Sequence, residues 1–404
     1  MKATLFAAII LASGLVAWKY KPTYSLPGKA ATRTAAVPVT PPPATAPLPV
    51  TPPRPARDNT RIQVALLLDT SNSMDGLIDQ AKSRLWNIIN TLTTLKFNGK
   101  TPDIEIALYE YGNQGLSPSN GYIRQVTPLS TDLDLISEKL FALRTNGGDE
   151  YCGAVIRNAV NSLKWGSDES DLKLIYIAGN EPFNQGEVKY ATAAGEALGK
   201  NIYINTIFCG DYTEGISTNW KDGADKGKGK YFNIDSDRKV RFIETPYDSL
   251  IASCNDRMNQ TYIGYGAHGE SKKSSQLSQD ANAQSVSKMN FTERTVSKSK
   301  SVYRNDSWDL VERSQKDKTF IQNMTKSELP KELRDKSVPE IQKIVAAKSR
   351  ERDSVQKVIG ELGKKRQQFI DEAAKKSGTP DDLGTAINRS IIQLAATKGY
   401  KAEL

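Results

Sequence analysis

The stretch LLLDTSNSMD at residues 66–75 decides how the rest of the chain is interpreted. An apolar run reaches Asp69, and two serines, Ser71 and Ser73, follow it at alternate positions. From Asp75 onward, apolar residues recur every three or four positions, which is the spacing of an amphipathic helix. The two serines and Asp69 therefore lie on the turn between a buried strand and a helix, and α/β sheets bind ligands at the carboxyl ends of their strands.

The side chains of this turn offer only hard oxygen atoms, the kind of ligand that Mg²⁺ or Ca²⁺ takes. The alternative is a helix cap, because Ser and Asp are both good capping residues. A cap requires one such residue, whereas three stand here at alternate positions. The pattern therefore favours a metal site.

This arrangement, D-x-S-x-S after an apolar strand, resembles the von Willebrand factor A domain, also called the integrin I-type domain. In that family these residues belong to a metal-ion-dependent adhesion site. The resemblance extends over residues 61–262 and implies an α/β fold with a mostly parallel, doubly wound sheet. It also implies a bound Mg²⁺ or other divalent cation, whose coordination is completed by an acidic residue of a protein partner.

Family members complete the site with a Thr in a second loop and an Asp after the central strand, and this sequence departs at both. The second loop reads TNGGDEYCG (145–153), which puts Cys152 where the family has Thr. Asp149 or Glu150 is expected to supply the missing oxygen, and we include Asp149 in the predicted set.

The third loop reads IAGNEPF (177–183), which puts Asn180 at the position of the family's Asp, with Glu181 beside it. An amide offers an oxygen but no charge. The predicted metal ligands all supply oxygen: Asp69, Ser71, Ser73, Asp149 and Asn180.

Apolar strands and amphipathic helices alternate through this region, which indicates a mostly parallel sheet covered on both faces. Besides the strand and helix on either side of the motif, the predicted strands are 104–111, 122–126, 172–178, 202–208 and 230–234. The predicted helices are 132–143, 152–165, 188–198 and one that starts at Thr245 and Pro246.

The N-terminal segments predict export. Lys2 precedes an apolar run at 3–17, so residues 1–20 are predicted to be a signal peptide or an uncleaved signal anchor. Residues 21–60 are predicted to be a disordered linker, with nine prolines between Pro38 and Pro55 that favour an extended stalk. The chain is thus expected in the cell envelope or periplasm, anchored to a membrane or secreted.

The sequence changes character after residue 262. Residues 263–336 are predicted to be irregular, because Ser, Gln, Lys and Asn dominate 268–290. Residues 337–404 are predicted to be a helical tail that forms a coiled coil in part, with a long helix at 337–376 and a weaker one at 383–396. We expect the long helix to pack its apolar stripe on other tail helices or on a partner and not into the core of the α/β domain, so that deleting 271–404 leaves a folded, soluble domain.

Charge is segregated along the chain: residues 1–60 carry +6, 61–270 carry −6 and 271–404 carry +9. A solvated helix surface is the preferred interpretation of the basic tail, ahead of attraction to anionic lipid or polymer. Nucleic acid is not expected as a partner of an exported chain.

Catalysis has little support in the sequence. The single histidine, His268, has no partner at a recognisable spacing, and Ser71 and Ser73 have no candidate base nearby. We therefore expect an envelope binding or scaffold protein and not an enzyme. Two alternatives stay open: a metal-assisted hydrolase with Glu150 or Glu181 as base, and a structural tether with a degenerate site.

The three cysteines are an odd set for an exported chain. Cys152 and Cys209 are expected near one edge of the sheet, where an oxidising compartment would allow a disulfide between them. Cys254 is expected to be a free core residue.

Overall fold

The computed structural model describes residues 60–235, 242–377 and 383–403. The predictions for the N-terminal segment (1–20) and for all of the linker (21–60) except Thr60 lie outside these residues. Within the described ranges, no helix combines the length and the apolar character that crossing a bilayer requires.

Six strands form the central sheet and two short ones form a separate pair. The strands are β1 (Arg61–Asp69), β2 (Leu95–Lys96), β3 (Asp103–Tyr111), β4 (Ile123–Ser130), β5 (Leu172–Gly179), β6 (Ile202–Cys209), β7 (Lys228–Ile234) and β8 (Lys401–Ala402). The sheet order is β4–β3–β1–β5–β6–β7, and only the pair β3–β4 is antiparallel. All six strands predicted from the sequence are present in this sheet.

Helices connect the strands and fill the C-terminal third of the chain. They are α1 (Asp75–Leu92), α2 (Leu133–Ala142), α3 (Cys152–Ser162), α4 (Tyr190–Gly199), α5 (Tyr212–Ser217), α6 (Trp220–Lys226), α7 (Asp248–Asn259), α8 (Gly269–Val286), α9 (Lys288–Lys298), α10 (Leu310–Lys316), α11 (Phe320–Asn323), α12 (Val338–Ser377) and α13 (Leu383–Thr397). The predicted α/β fold with an additional helical C-terminal region is confirmed.

The two faces of the sheet bury separate apolar clusters, as the alternation of side chains along a strand requires. On β1, Val64 and Leu68 belong to the cluster that α1 covers, whereas Ala65 and Leu67 belong to the cluster that α3 and α4 cover. Both faces of β1 are thus buried, which explains its continuous apolar sequence.

The weaker helix predicted at the end of the chain is present as α13, and it packs on the sheet, a contact that the sequence did not predict. On α13, Ile387, Ile391 and Leu394 are buried in the same cluster as β1 and α1. Tyr176 Oη of β5 donates to Ser390 Oγ at 3.4 Å, so α13 also hydrogen-bonds the sheet. An apolar stripe shows that a helix packs against another part of the protein. The stripe alone does not show which part that is.

The long predicted helix is confirmed as α12, which packs against α7, α9, α10 and α11. Its residues Val355 and Ile359 are buried in the cluster that contains α1 and the sheet. The helix therefore packs on the body of the molecule, and not only on other tail helices as expected.

The prediction of an irregular segment at 263–336 is also wrong, because four helices, α8–α11, lie within it. Polar side chains are buried on α8 and α9, and Arg294 and Lys298 of α9 have no exposed surface. Hydrophobic periodicity cannot detect such helices, since their inward-facing side chains are polar and satisfied by hydrogen bonds.

Candidate metal site

The loops after β1 and β5 bring the predicted oxygen ligands together at the carboxyl edge of the sheet. Because β1 and β5 are parallel neighbours, Asp69 and Asn180 leave the sheet side by side. A short 3₁₀ turn, Asn72–Met74, follows Ser71 and leads into α1. Ser71 Oγ lies 3.2 Å from Ser73 Oγ, and Asn180 Nδ2 donates to Ser73 Oγ at 3.1 Å.

The helix-cap interpretation of this turn is not supported. Ser71 stands at the cap position of the 3₁₀ turn, but its side chain makes no capping hydrogen bond. The cap position of α1 is Met74, which has no capping side chain. The hydroxyls of Ser71 and Ser73 therefore remain directed towards each other and towards Asn180.

Asp69 is fully buried, and only one of its oxygen atoms has a partner. Oδ1 accepts a hydrogen bond from Ser71 N at 2.7 Å, whereas Oδ2 has none from any described residue. Burial raises the pKa of Asp69 to about 7; hydrogen bonds from Ser71 and the nearby backbone N–H of Asn180 oppose this rise, and the charge of Glu181 adds to it. A buried carboxylate oxygen without a partner is costly, which indicates that it awaits a ligand.

Two glycines keep the space around this carboxylate open. A Cβ atom at Gly179 would lie 2.9 Å from Asp69 Oδ2, and one at Gly112 would lie 2.9 Å from Asp69 Oδ1. Gly112 also has φ +77°, which other residues rarely adopt. Neither glycine was identified from the sequence, although Gly112 directly follows an apolar strand.

The structure places Glu150, and not Asp149, beside Asp69. A Cβ atom at Gly112 would contact both Glu150 Cγ (2.8 Å) and Asp69 Oδ1 (2.9 Å), so the two acidic side chains line one cleft. Glu150 is buried, and burial, followed by the charges of Asp69 and Glu181, raises its pKa to about 7. Asp149 is exposed and accepts a hydrogen bond from Tyr151 Oη at 3.3 Å.

Of these two neighbouring acids, only Glu150 is buried at the cleft, whereas Asp149 faces solvent. The loop must also pass close to Gly112, because a Cβ at Gly148 would lie 2.2 Å from the carbonyl oxygen of Gly112. The assignment of Asp149 to the site is therefore corrected to its neighbour, Glu150.

Cys152, at the family's Thr position, lies beneath the cleft and not in it. Its Sγ is 3.8 Å from Tyr111 Oη, and burial raises the pKa of the thiol well above its usual range. Tyr111 Oη in turn donates to the carbonyl of Ala178 at 2.9 Å. The thiol offers no oxygen in the way that the family's Thr does, whereas Tyr111 Oη borders the space beside Asp69: a Cβ atom at Gly179 would lie 2.6 Å from it.

The predicted disulfide is wrong, because all three cysteines are free. Cys152 belongs to the apolar cluster on one face of the sheet and Cys209 to the cluster on the other, so the sheet itself separates the two thiols. Cys254 is a free core residue on α7, as predicted.

The loop that carries Asn180 and Glu181 is held from its far side. Trp220 Nε1 donates to the carbonyl of Glu181 at 2.8 Å, and Phe183 N donates to the carbonyl of Thr218 at 2.9 Å. Trp220 itself is fully buried. The position of Asn180 is therefore fixed through the segment between α5 and α6, which the sequence did not predict.

The cleft thus gathers carboxylates, hydroxyls and one amide, all of them hard oxygen donors that suit Mg²⁺, Mn²⁺ or Ca²⁺. Among the described residues, no three His, Cys, Asp or Glu side chains are grouped so that they alone could hold a metal. A cation here would need the hydroxyl oxygens of Ser71 and Ser73 as well as the carboxylate of Asp69. This requirement agrees with the residue types in the motif.

Comparisons with known proteins agree with the fold and add little beyond it. No protein-family model matches the chain, and no curated protein sequence matches it. Similar solved structures include BatB from Bacteroides thetaiotaomicron, with 16% identity and a TM-score of 0.34 over 43% of this chain and 90% of that chain. The SpRpn10 VWA domain has 16% identity and a TM-score of 0.33 over 43% of this chain and 87% of that chain.

Proximal thread matrix protein 1 from the mussel byssus, with a zinc-occupied MIDAS motif, has 11% identity and a TM-score of 0.34 over 45% of this chain and 43% of that chain. Von Willebrand factor A domains are thus among the similar structures, and this is the family that the motif resembles. At these TM-scores the likenesses carry no argument about the cleft, and the fold assignment rests on the sheet described above.

Proposed function

We propose that this chain is an exported cell-envelope protein that binds or scaffolds a protein partner through a divalent cation. Asp69, Ser71, Ser73 and Asn180 would hold the cation, with Glu150 in the position first assigned to Asp149. The export part of the proposal depends on the apolar run at 3–17, and finding the intact chain in the cytoplasm by fractionation would contradict it.

One observation carries the cation proposal: Asp69 Oδ2 is buried and has no hydrogen-bond partner among the described residues. A buried charged oxygen is stable when it is paired or coordinates a metal. Glu150 in the same cleft adds a second carboxylate, and the two repel each other unless a positive charge lies between them. A divalent cation would satisfy the open oxygen and remove the repulsion.

The partner is proposed to reach the cation with a carboxylate. Mg²⁺ requires near-octahedral coordination and keeps waters where protein ligands are few, so a partner's oxygen can replace one of those waters. Asn180 contributes no charge, which leaves the ion more attractive to an anionic ligand and less tightly held by the free chain. Cation and partner should therefore strengthen each other's binding by the same factor.

Isothermal titration calorimetry with Mg²⁺, Mn²⁺ and Ca²⁺ tests the cation proposal. We expect weak binding by the full chain and none by the Asp69→Ala variant. Asp79→Ala is the matched control, because the Asp79 side chain on α1 is 80% exposed and should not affect the cleft. Absence of binding for all three ions would contradict the proposal and favour the structural tether.

Capture of partners from the native envelope, with and without chelator, tests the proposal that a partner binds through the cation. We expect chelator to release the partner and Asp69→Ala to capture none. If wild type and Asp69→Ala capture the partner equally well, with and without chelator, the partner binds elsewhere on the chain.

The hydrolase alternative has one observation in its favour. The pKa of Glu150, raised to about 7 by burial, suits a general base near neutral pH. Metal-dependent turnover of a phosphoester or ester that is lost in Glu150→Gln would support it. The one histidine, His268, lies at the start of α8 and is exposed, so it offers no second proton-transfer group in the cleft.

A further inference from the structure

The loops at the carboxyl edge of the sheet carry far more acidic than basic residues. In the five loops 69–75, 112–122, 143–151, 180–189 and 210–219 there are eight Asp or Glu and only two Lys or Arg. Residues 235–247, which follow β7 in the sequence, include three acidic and three basic residues and do not change this balance. A divalent cation in the cleft would neutralise two of the six excess negative charges, so the edge remains negative even with the ion bound.

Most of these acids face solvent around the cleft. Asp69 and Glu150 lie inside it, and the other six are exposed or half-buried: Asp75, Asp149, Glu181, Glu187, Asp211 and Glu214. The two bases, Arg144 and Lys189, are also exposed, but no ion pair joins either to these acids within the described part of the chain. The charge of this edge is therefore available to an approaching molecule.

The open oxygen of Asp69 indicates that a ligand belongs at the centre of this acidic surface. Its Oδ2 is buried without a hydrogen-bond partner from the described residues, and two glycines leave the space in front of the carboxylate free. The surrounding acids and this unsatisfied atom are independent observations. The first describes the charge that an approaching molecule meets, and the second marks where it is bound.

An apolar patch lies next to the cleft on α5. Tyr212 and Ile216 are 49% and 41% exposed and stand four residues apart, hence on one face of the helix. The Tyr231 ring lies 5.4 Å from the Tyr212 ring, and Tyr231 Oη donates to the Tyr212 carbonyl at 3.0 Å. The end of α5 contacts the loop that carries Asn180, because Phe183 N of that loop donates to the carbonyl of Thr218 at 2.9 Å, so the patch lies on a helix that borders this loop.

We propose that the partner presents a basic polypeptide segment in which one carboxylate is surrounded by Lys or Arg and is followed by an apolar side chain that packs on Tyr212 and Ile216. This inference rests on the cation site proposed above. The carboxylate coordinates the ion, and the basic side chains compensate the acids around the cleft. An acidic partner segment would instead meet like charges around the ion.

Three short synthetic peptides test the charge preference with the full-length chain. The first has one Asp among lysines, the second has the same Asp among glutamates, and the third is the lysine peptide with Asn in place of Asp. We expect the lysine–Asp peptide to bind about tenfold more tightly than the glutamate–Asp peptide in Mn²⁺ at low salt. Added salt should reduce this difference, since the rim charges are exposed to solvent.

Titration of Mn²⁺ alone separates the two proposals. If the ion binds but the glutamate–Asp peptide binds as well as the lysine–Asp peptide, the charge inference fails while the cation site stands. If no ion binds and the two lysine peptides bind equally, the cation proposal fails and with it the role of the carboxylate.

Surface variants test the two parts of the docking surface. Glu187→Gln combined with Glu214→Gln should weaken the lysine–Asp peptide about two- to fivefold, and Glu361→Gln on α12 is the matched control. Tyr212→Ser combined with Ile216→Ser should weaken a lysine–Asp peptide that carries a leucine and leave Mn²⁺ binding unchanged. Leu277→Ser on α8, 47% exposed, is the control for that pair. Equal loss in variants and controls would overturn the placement of the partner.

Discussion

Two of the groups of buried charged side chains among the described residues differ in whether each charge has a partner. In the cleft after β1, Asp69 and Glu150 are both acidic and have no basic side chain between them. Between α2, α8 and α9, Arg294 and Lys298 are equally buried, but each lies against a carboxylate. The second group is a closed network, whereas the first is incomplete within the described residues.

The closed network satisfies its members with short hydrogen bonds. Arg294 donates to Asp280 at 2.6 Å and to Asp134 at 2.7 Å, and Lys298 Nζ lies 2.9 Å from Asp280 Oδ2. Asn255 and Asn259 both donate to Asp280 Oδ2, at 2.9 and 2.8 Å. Pairing of this kind offsets the cost of removing the charges from water.

The pKa values of the two buried aspartates shift in opposite directions. Burial acts to raise the pKa of both, and in Asp69 it prevails, so that the pKa rises to about 7. In Asp280 the charges of Lys298 and Arg294 outweigh burial and hold the pKa well below its usual range. Burial alone therefore does not distinguish these two carboxylates; the presence or absence of a basic partner does.

The largest effect should come from removing the part of the chain that contains α13. Deleting residues 383–403 would expose the sheet face that Ile387, Ile391 and Leu394 cover, and each of these side chains contributes about 1.5–3 kcal/mol. We expect an unfolded or aggregating product by size-exclusion chromatography and circular dichroism. A folded, soluble truncation would restore the original expectation of an independent tail.

Single substitutions at two neighbouring isoleucines of α13 also test whether this helix packs on the sheet, without removing it. Ile391 has no exposed surface, whereas Ile392 is 38% exposed. Ile391→Ala should lower the free energy of unfolding by about 2–5 kcal/mol, and Ile392→Ala by much less. Equal effects would show that α13 does not pack on the sheet in solution.

The next effect, from breaking the closed network, should be nearly as large. Arg294→Met removes the charge that faces Asp134 and Asp280, and leaves Asp134 without a basic partner among the described residues. We expect a loss of about 3–5 kcal/mol in urea unfolding, because an uncompensated charge remains buried. Arg313→Met is the control: Arg313, on α10, is in no ion pair among the described residues and should give a much smaller loss.

The sequence predicted the central sheet because its strands are apolar runs separated by amphipathic helices, a pattern set by local residues. It also located the cleft, since Asp69, Ser71 and Ser73 lie within five residues of one another. Asn180 lies beside Ser73, as expected from its position directly after the strand that Gly179 ends. Each of these predictions depended on residues that lie close together in the sequence.

What the sequence did not predict depends on contacts between distant residues. Arg294 and Asp134 are 160 positions apart, and nothing near either one shows that a polar helix will be buried against the other. The choice of Glu150 over Asp149 depends on the close approach of Gly148 to Gly112, which brings two separate loops together. Such pairs become visible only when the chain is folded.

A matched pair of substitutions should change stability in opposite directions. Asp280→Asn removes the carboxylate from Lys298 and leaves Arg294 with Asp134 alone, and we expect a loss of about 3 kcal/mol in the free energy of unfolding. Asp69→Asn removes a buried charge that has no basic partner, and we expect a gain of about 1 kcal/mol in the presence of chelator. A loss in both variants would contradict the distinction between paired and unpaired carboxylates.

The free energy of unfolding, measured as the pH is lowered, tests the direction of the pKa shift of Asp280. Its pKa is lower in the folded chain than in the unfolded chain, so its contribution is present above the unfolded value and is lost as the pH falls through the folded one. Wild type should therefore lose stability below about pH 4 more steeply than Asp280→Asn. Parallel profiles would show that the ion pairs of Asp280 are not formed in solution.

The smallest change in structure, and the most specific test of the cleft, is Asn180→Asp. This substitution replaces an amide by a carboxylate of nearly the same shape, so the fold should be unaffected. Because the ion is divalent, a further negative charge about 4 Å away attracts it by about 2–8 kcal/mol, which corresponds to a tenfold or greater increase in Mg²⁺ affinity. The same charge would make the ion less attractive to a partner's carboxylate, so the coupling between ion and partner should weaken. Asn184→Asp, at an exposed position of the same loop, is the control for a change in net charge alone. Equal gains in Mg²⁺ affinity from both variants would mean that the loop acts through its overall charge, and that Asn180 is not a ligand.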